Sequence, residues 1–149
     1  MRADLEIVCG FIEAGKTAFI NALNELTKIK DEDTFIILTE DGHSKIEENS
    51  KEYKVIYFND DISLIASKIK VAICQYKPYK IIIEYNGTYT MEEFYKTYAE
   101  TLNKYCRLKC VYYIINGKTF LYYFKNLSEL FIPYIENSNL ILINNCKEI

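Results

Sequence analysis

The sequence predicts an α/β fold with a mostly parallel central sheet covered by helices on both faces, and three observations predict it. Short runs rich in Ile, Val, Leu and Phe alternate along the chain with segments that repeat apolar residues at helical spacing. The runs are continuous rather than alternating, as in Lys80-Ile81-Ile82-Ile83-Glu84, which suits strands buried on both faces. Neither an internal repeat nor a Gly/Ser/Pro linker breaks the series over 149 residues, half of them apolar, enough for one core.

Residues 5–9 read as the first strand and residues 18–26 as a helix that starts near Gly15. A strand over 34–39 follows, then a polar stretch over 40–52 and a strand over 53–58. Residues 62–73 read as a helix leading to the strand that Glu84 ends. Thr90-x-x-Glu93 is a capping box that opens the next helix, expected to run to about Tyr105. A strand over 108–115, a helix over 120–135 despite Pro133, and a strand over 140–143 complete the order.

Between the first strand and its helix, Gly10-Phe11-Ile12-Glu13-Ala14-Gly15-Lys16-Thr17 fits G-x-x-x-x-G-K-[ST]. This predicts a phosphate-binding loop. Gly10 and Gly15 let the backbone curl with its N–H groups turned towards phosphate oxygens, and the helix start adds partial positive charge. Lys16, at an exposed anion site, would reach the outer phosphates, and the Thr17 hydroxyl would take one position on a magnesium ion. Glu84-Tyr85-Asn86-Gly87 is the second informative site. An acid at the carboxyl end of a central parallel strand lies near such a loop, where its charge suits magnesium, and Gly87 could set an unobstructed N–H against a terminal phosphate.

Composition narrows the classes. A net charge of −3 and the absence of any basic run of five argue against nucleic acid. No stretch approaches the ~20 apolar residues of a membrane span and no signal peptide is apparent, which predicts a soluble cytoplasmic protein. The five cysteines, Cys9, Cys74, Cys106, Cys110 and Cys146, form no C-x-x-C pair, so most are expected to be buried small hydrophobes rather than zinc ligands or disulfides.

The loop and the Glu84 segment together resemble the CobW/HypB/UreG GTPases, relatives of nickel, cobalt and zinc chaperones among the P-loop NTPases. The loop is similar to that family's G-F-L-x-A-G-K-T, and Glu84-Tyr85-Asn86-Gly87 to its E-x-x-G. With Gln75-Tyr76-Lys77-Pro78 ahead of the strand, the chain is similar to a CobW-like branch over residues from Leu5 to Cys146. The resemblance implies a three-layer P-loop NTPase fold, GTP and Mg2+ as ligands, and slow hydrolysis as a switch. On it, Lys16 and Glu84 are the catalytic residues, and Gly10, Glu13, Ala14, Gly15, Lys16, Thr17, Ala18, Gly87 and Asn144 hold the nucleotide. Thr17, Glu40 and Glu84 hold the metal, with Glu40 or Asp41 in a switch segment. A client metalloprotein or transporter and a homodimer are the partners it suggests, and a further C-terminal domain is part of the family architecture, so the chain reads as the nucleotide-binding domain over residues 1–149.

Departures from the family pattern bear on function. Ala18 stands where a second hydroxyl is common, which removes one hydrogen bond worth about 0.5–1.5 kcal/mol. The guanine-reading N-K-x-D appears as Asn144-Asn145-Cys146-Lys147 in the ungapped register, with no carboxylate for the guanine N–H groups. A one-residue slip to Asn145-Cys146-Lys147-Glu148 restores an acid, and the sequence leaves both registers open. The C-x-C-C cluster of metallochaperone members is missing: the interval holds Cys74 alone, and His43 sits in the switch-like loop. No Gln or Arg is obviously placed to orient water, so a non-catalytic nucleotide-binding or interaction module is the alternative.

Overall fold

The computed structural model describes residues 2–11, 14–26, 34–39, 53–58, 64–86 and 90–145. Their six strands are β1 (Ala3–Gly10), β2 (Thr34–Leu38), β3 (Tyr53–Tyr57), β4 (Lys80–Asn86), β5 (Cys106–Asn116) and β6 (Leu140–Asn144). They form one sheet in the order β3-β2-β4-β1-β5-β6, and every pairing is parallel. The helices are α1 (Lys16–Leu26), α2 (Ile65–Tyr76), α3 (Met91–Thr97) and α4 (Phe120–Asn137). The α/β expectation therefore holds, with a sheet more uniformly parallel than the sequence suggested.

Alternate residues of the same strands build two cores, because successive side chains point to opposite faces. Val8, Ile36, Leu38, Ile82 and Ile114 lie on the face where α1 contributes Ile20. On the other face Ile7, Cys9, Ile37, Ile83 and Tyr85 pack with Ile69 of α2, Phe94 of α3 and Phe131 of α4. All eight residues of β1 and all five of β2 are buried. Each fully buried Ile or Leu stabilises the fold by about 1.5–3 kcal/mol, which is why continuous apolar runs occupy the centre of the sheet.

Three element boundaries differ from expectation in ways that matter. β4 continues to Asn86, so Glu84 does not end the strand: it pairs with Val8 of β1 and Leu38 of β2 inside the sheet, where ladder bonds on both sides hold it extended. The helix opened by Thr90 stays α-helical only to Thr97 and passes into a π-helical turn, Tyr98–Leu102, before ending short of Tyr105. There the Asn103 N–H donates to the Tyr98 carbonyl, and the Thr101 hydroxyl, 2.6 Å from the Thr97 carbonyl, competes for the helical acceptor. α4 bends at Leu127, φ −133° and ψ 33°, not at Pro133. Aromatic packing spans the bend: Phe11 lies 5.0 Å from Tyr123 and 4.8 Å from Phe131, and Tyr134 stacks on Tyr113 at 5.2 Å.

The cysteines divide. Cys9 and Cys106 are buried, as expected, with burial pushing the Cys106 thiol up to about 11 and that of Cys9 further still. Cys110 is half-buried, whereas Cys74 is exposed on α2, because it falls on that helix's outer face. Cys146 lies outside the described residues.

At the opposite end of the sheet from the candidate site, Asp4 pairs with Arg107 at 2.9 Å and Lys109 at 3.4 Å. Burial pushes its carboxyl up, but the hydrogen bonds and positive charges of Arg107 and Lys109 together outweigh that and hold it below the ordinary value of 3.8. A depressed carboxyl contributes stability that is present above the unfolded value and is lost as pH falls through the folded one. Asp4→Asn is therefore expected to cost about 1 kcal/mol at neutral pH, small because both cations are exposed, with the difference closing as pH falls below the ordinary carboxylate value and through the lower folded one. Urea unfolding of both proteins across that range checks it.

Candidate functional site

β1 delivers the chain to Gly10, and α1 begins at Lys16, so the glycine-bounded loop spans the gap between a central strand and a helix N-terminus. Both glycines are required by geometry. Gly10 has φ +152°, and a Cβ there would lie 2.6 Å from the Ile114 backbone oxygen on β5. Gly15 has φ +101°, and its Cβ would lie 2.6 Å from the Asn144 side-chain amide. The Ala14 N–H donates to the Phe11 carbonyl at 3.1 Å, closing the turn, and the Phe11 ring is anchored on α4.

Lys16 is not exposed as the sequence suggested. It is 3% accessible, and its ammonium donates to the carbonyls of Gly10 at 2.6 Å and Phe11 at 3.0 Å, because the helix start turns the side chain back over the loop it follows. The next residue, Thr17, donates its hydroxyl to the Glu84 carboxylate at 2.6 Å, and both are buried. Glu84 shares the α1 face with its ladder partners Val8 and Leu38, which is what aims its carboxylate at the helix start.

A further residue belongs to this arrangement. Thr39, one position past β2 and buried, donates its hydroxyl to the Glu84 backbone carbonyl at 2.6 Å and its N–H to the same oxygen at 3.2 Å. A threonine after an apolar run carries no distinguishing signal in sequence. Only the parallel register that sets Leu38 opposite Glu84 brings the two together.

Asn144 reaches the loop from the end of β6, with its side-chain amide 3.4 Å from the Ala14 carbonyl. Its own carbonyl accepts from Gly117, and its side-chain oxygen accepts from the Asn145 N–H at 3.0 Å. Asn145 turns away in the left-handed region, φ 56°, and is exposed. Of the two registers the sequence left open, the ungapped one puts its asparagine against the loop. Ala18 lies exposed on α1. Glu13, Glu40, Asp41, His43, Gly87, Lys147 and Glu148 lie outside the described residues.

Gly10, Ala14, Gly15, Lys16, Thr17, Glu84 and Asn144 thus converge at the carboxyl ends of β1, β4 and β6, the edge at which open parallel sheets take ligands. Among the described residues no group of three or more His, Cys, Asp or Glu could hold a metal ion, and no helix is long and apolar enough to cross a membrane. Cys74 sits on α2, across the sheet from α1.

Comparison with known proteins follows the same lines. The fold is similar to that of the Zn(II)-bound YjiA GTPase from E. coli and of a triple mutant of that GTPase, also with Zn(II) bound, each at 12% identity and a TM-score of 0.69. Each match covers 96% of this chain and 49% of the other, so the chain spans about half the length of these structures. At that identity the likeness is one of fold. Comparison with curated proteins returns no match. The model of the CobW/HypB/UreG nucleotide-binding domain, by contrast, matches residues 4–149, nearly the whole chain, and this chain belongs to that family.

Proposed function

We propose that this domain binds GTP with magnesium and hydrolyses it slowly, as a cytoplasmic switch related to metal-chaperone GTPases. The observation that carries the reading is the meeting of Lys16, Thr17 and Glu84 at the loop between β1 and α1, with the Thr17 hydroxyl 2.6 Å from the Glu84 carboxylate. A hydroxyl and a carboxylate are hard oxygen donors of the kind magnesium takes while keeping several waters, so the residues present fit that ion. Thr17 and Glu84 would hold it, with Glu40 in the same role on the strength of the family resemblance. When bound, the ion supplies charge neutralisation at the phosphates.

The rest of the work falls to the chain. Phosphoryl transfer asks mainly for positioning and electrostatic stabilisation. Lys16 would exchange the loop carbonyls for the outer phosphate oxygens, the N–H groups from Gly15 onwards would line the inner ones, and Gly87 would sense the terminal phosphate. Asn144, against Ala14, would hold the loop in shape. Guanine preference rests on family membership, since three residues past Asn144 stands Lys147 and not a carboxylate. A client metalloprotein or transporter, and a second copy of this chain, are the partners proposed; the Zn(II) of the YjiA structures supports the metal connection.

The competing reading is a non-catalytic nucleotide-binding or interaction module, favoured by Lys147 at that place. Isothermal titration with GTP, ATP and GDP, in magnesium and in EDTA, separates the two when paired with a phosphate-release assay. Magnesium-dependent GTP binding with slow phosphate release is expected. Binding without release leaves the nucleotide-binding module, and no binding of any nucleotide overturns the GTPase reading and leaves an interaction module alone.

A further inference from the structure

Thr39 holds the main chain at Glu84 more firmly than a strand neighbour needs to. Its N–H and its hydroxyl both donate to the Glu84 carbonyl oxygen, at 3.2 and 2.6 Å, so one acceptor takes two bonds where a parallel ladder supplies one. The residues before it in β2, Phe35, Ile36, Ile37 and Leu38, are apolar and buried, and Thr39 is itself buried. Valine has the same shape and would fill this space without a polar atom. Burying a hydroxyl costs free energy unless it finds a partner, and the partner here is Glu84.

What the two bonds fix is the peptide that joins Glu84 to Tyr85. Rotation of that peptide would swing both side chains, which leave the strand on opposite faces. The Glu84 carboxylate, on the α1 face, accepts from the Thr17 hydroxyl at 2.6 Å. The Tyr85 ring, on the other face, is fully buried, and its hydroxyl donates to the carbonyl of Thr90, the residue that caps α3, at 3.0 Å. β1 holds the far side of the strand, with Val8 opposite Glu84 and Cys9 opposite Tyr85. Held by β1 on one side and Thr39 on the other, the peptide leaves the carboxylate aimed at Thr17.

We propose that Thr39 is a positioning residue for the magnesium site: its hydroxyl, acting through the Glu84 carbonyl, keeps the Glu84 carboxylate where it and Thr17 can share one ion. This rests on the reading of Thr17 and Glu84 as magnesium ligands. Magnesium demands near-ideal octahedral geometry, so a carboxylate that can swing loses affinity for the ion before the fold is lost. The phosphates, held by the loop and Lys16, do not call on Thr39. The role is therefore visible as a loss of magnesium dependence and not as a loss of nucleotide binding.

Isothermal titration of GTP into the full chain, over a series of magnesium concentrations and in EDTA, tests this. The variants are Thr39→Val, Thr39→Ser and, as a control, Thr34→Val, which removes another buried hydroxyl at the opposite end of β2. Circular dichroism and thermal unfolding check that each is folded, and Thr39→Ala stands in if the valine variant is not. Thr39→Val is expected to raise the magnesium concentration for half-maximal effect about tenfold, the lower range for a residue that orients a metal ligand, with affinity in EDTA changed less than about twofold. Thr39→Ser, which keeps the hydroxyl, and Thr34→Val should both stay within about twofold of the wild type. A Thr39→Val protein with wild-type magnesium dependence, a Thr39→Ser protein as weak as Thr39→Val, or an equal loss in Thr34→Val would each overturn the proposal. A loss of the same size in EDTA would also overturn it, placing Thr39 with the nucleotide instead. A wild type that binds GTP equally well in magnesium and in EDTA overturns the magnesium reading, and the proposal falls with it.

Discussion

Lys16→Ala is expected to weaken magnesium-triphosphate binding about a hundredfold, some ~2.7 kcal/mol, the upper range for a charge-assisted contact to phosphate. Charge is the reason. Lys16 follows Gly15 directly, and its ammonium already rests on the Gly10 and Phe11 carbonyls, so it has only to pivot to meet an anion held in the loop. Because Lys16 is buried and its two carbonyl partners lose a donor, the substitution should also cost about 1–2 kcal/mol of fold stability. The two effects are separable: titration at a temperature where both proteins are folded reads affinity alone. An unchanged affinity would remove Lys16 from the site and with it the reading of the loop as a phosphate cradle.

Gly10→Ala is expected to have the largest effect on the fold itself. An added Cβ would stand 2.6 Å from the Ile114 carbonyl oxygen and 3.3 Å from the Ala14 Cβ, at a backbone φ of +152° that other residues rarely adopt. The oxygen belongs to β5, which is held by β1 on one side and β6 on the other, so it cannot step aside as a flexible side chain would. Overpacking and backbone strain each cost about 1–3 kcal/mol, and a combined loss of about 3 kcal/mol should lower the melting temperature by about 6–12 °C for a chain of this size. Thermal unfolding without nucleotide measures it, and a fall of less than about 2 °C would show that the loop relaxes where the geometry says it cannot.

The sequence by itself determined the fold class, the order of strands and helices, and the loop between β1 and α1. Continuous apolar runs can be satisfied only inside a covered parallel sheet, and the motif's two glycines, lysine and threonine are close enough along the chain for local backbone geometry to bring them together. Glu84 was legible as an acid near that loop because strand-end chemistry follows from chain order. The tertiary structure alone decided what depends on register and on packing between distant segments. Its ladder of β2 and β1 against β4 sets Glu84 within the strand, aims it at Thr17 and brings in Thr39, for which no residue pattern gives a sign. The reach of β6 towards Ala14 distinguishes Asn144 from Asn145, two identical side chains told apart because Asn144 ends the strand and Asn145 leaves it in the left-handed region. Lys16 was read as exposed because lysines mostly are; its burial arises from two loop carbonyls that no apolar periodicity encodes. Local periodicity reports what each segment buries, whereas a site assembled from three strands and a helix start depends on how those segments align, and that alignment is a property of the packed sheet.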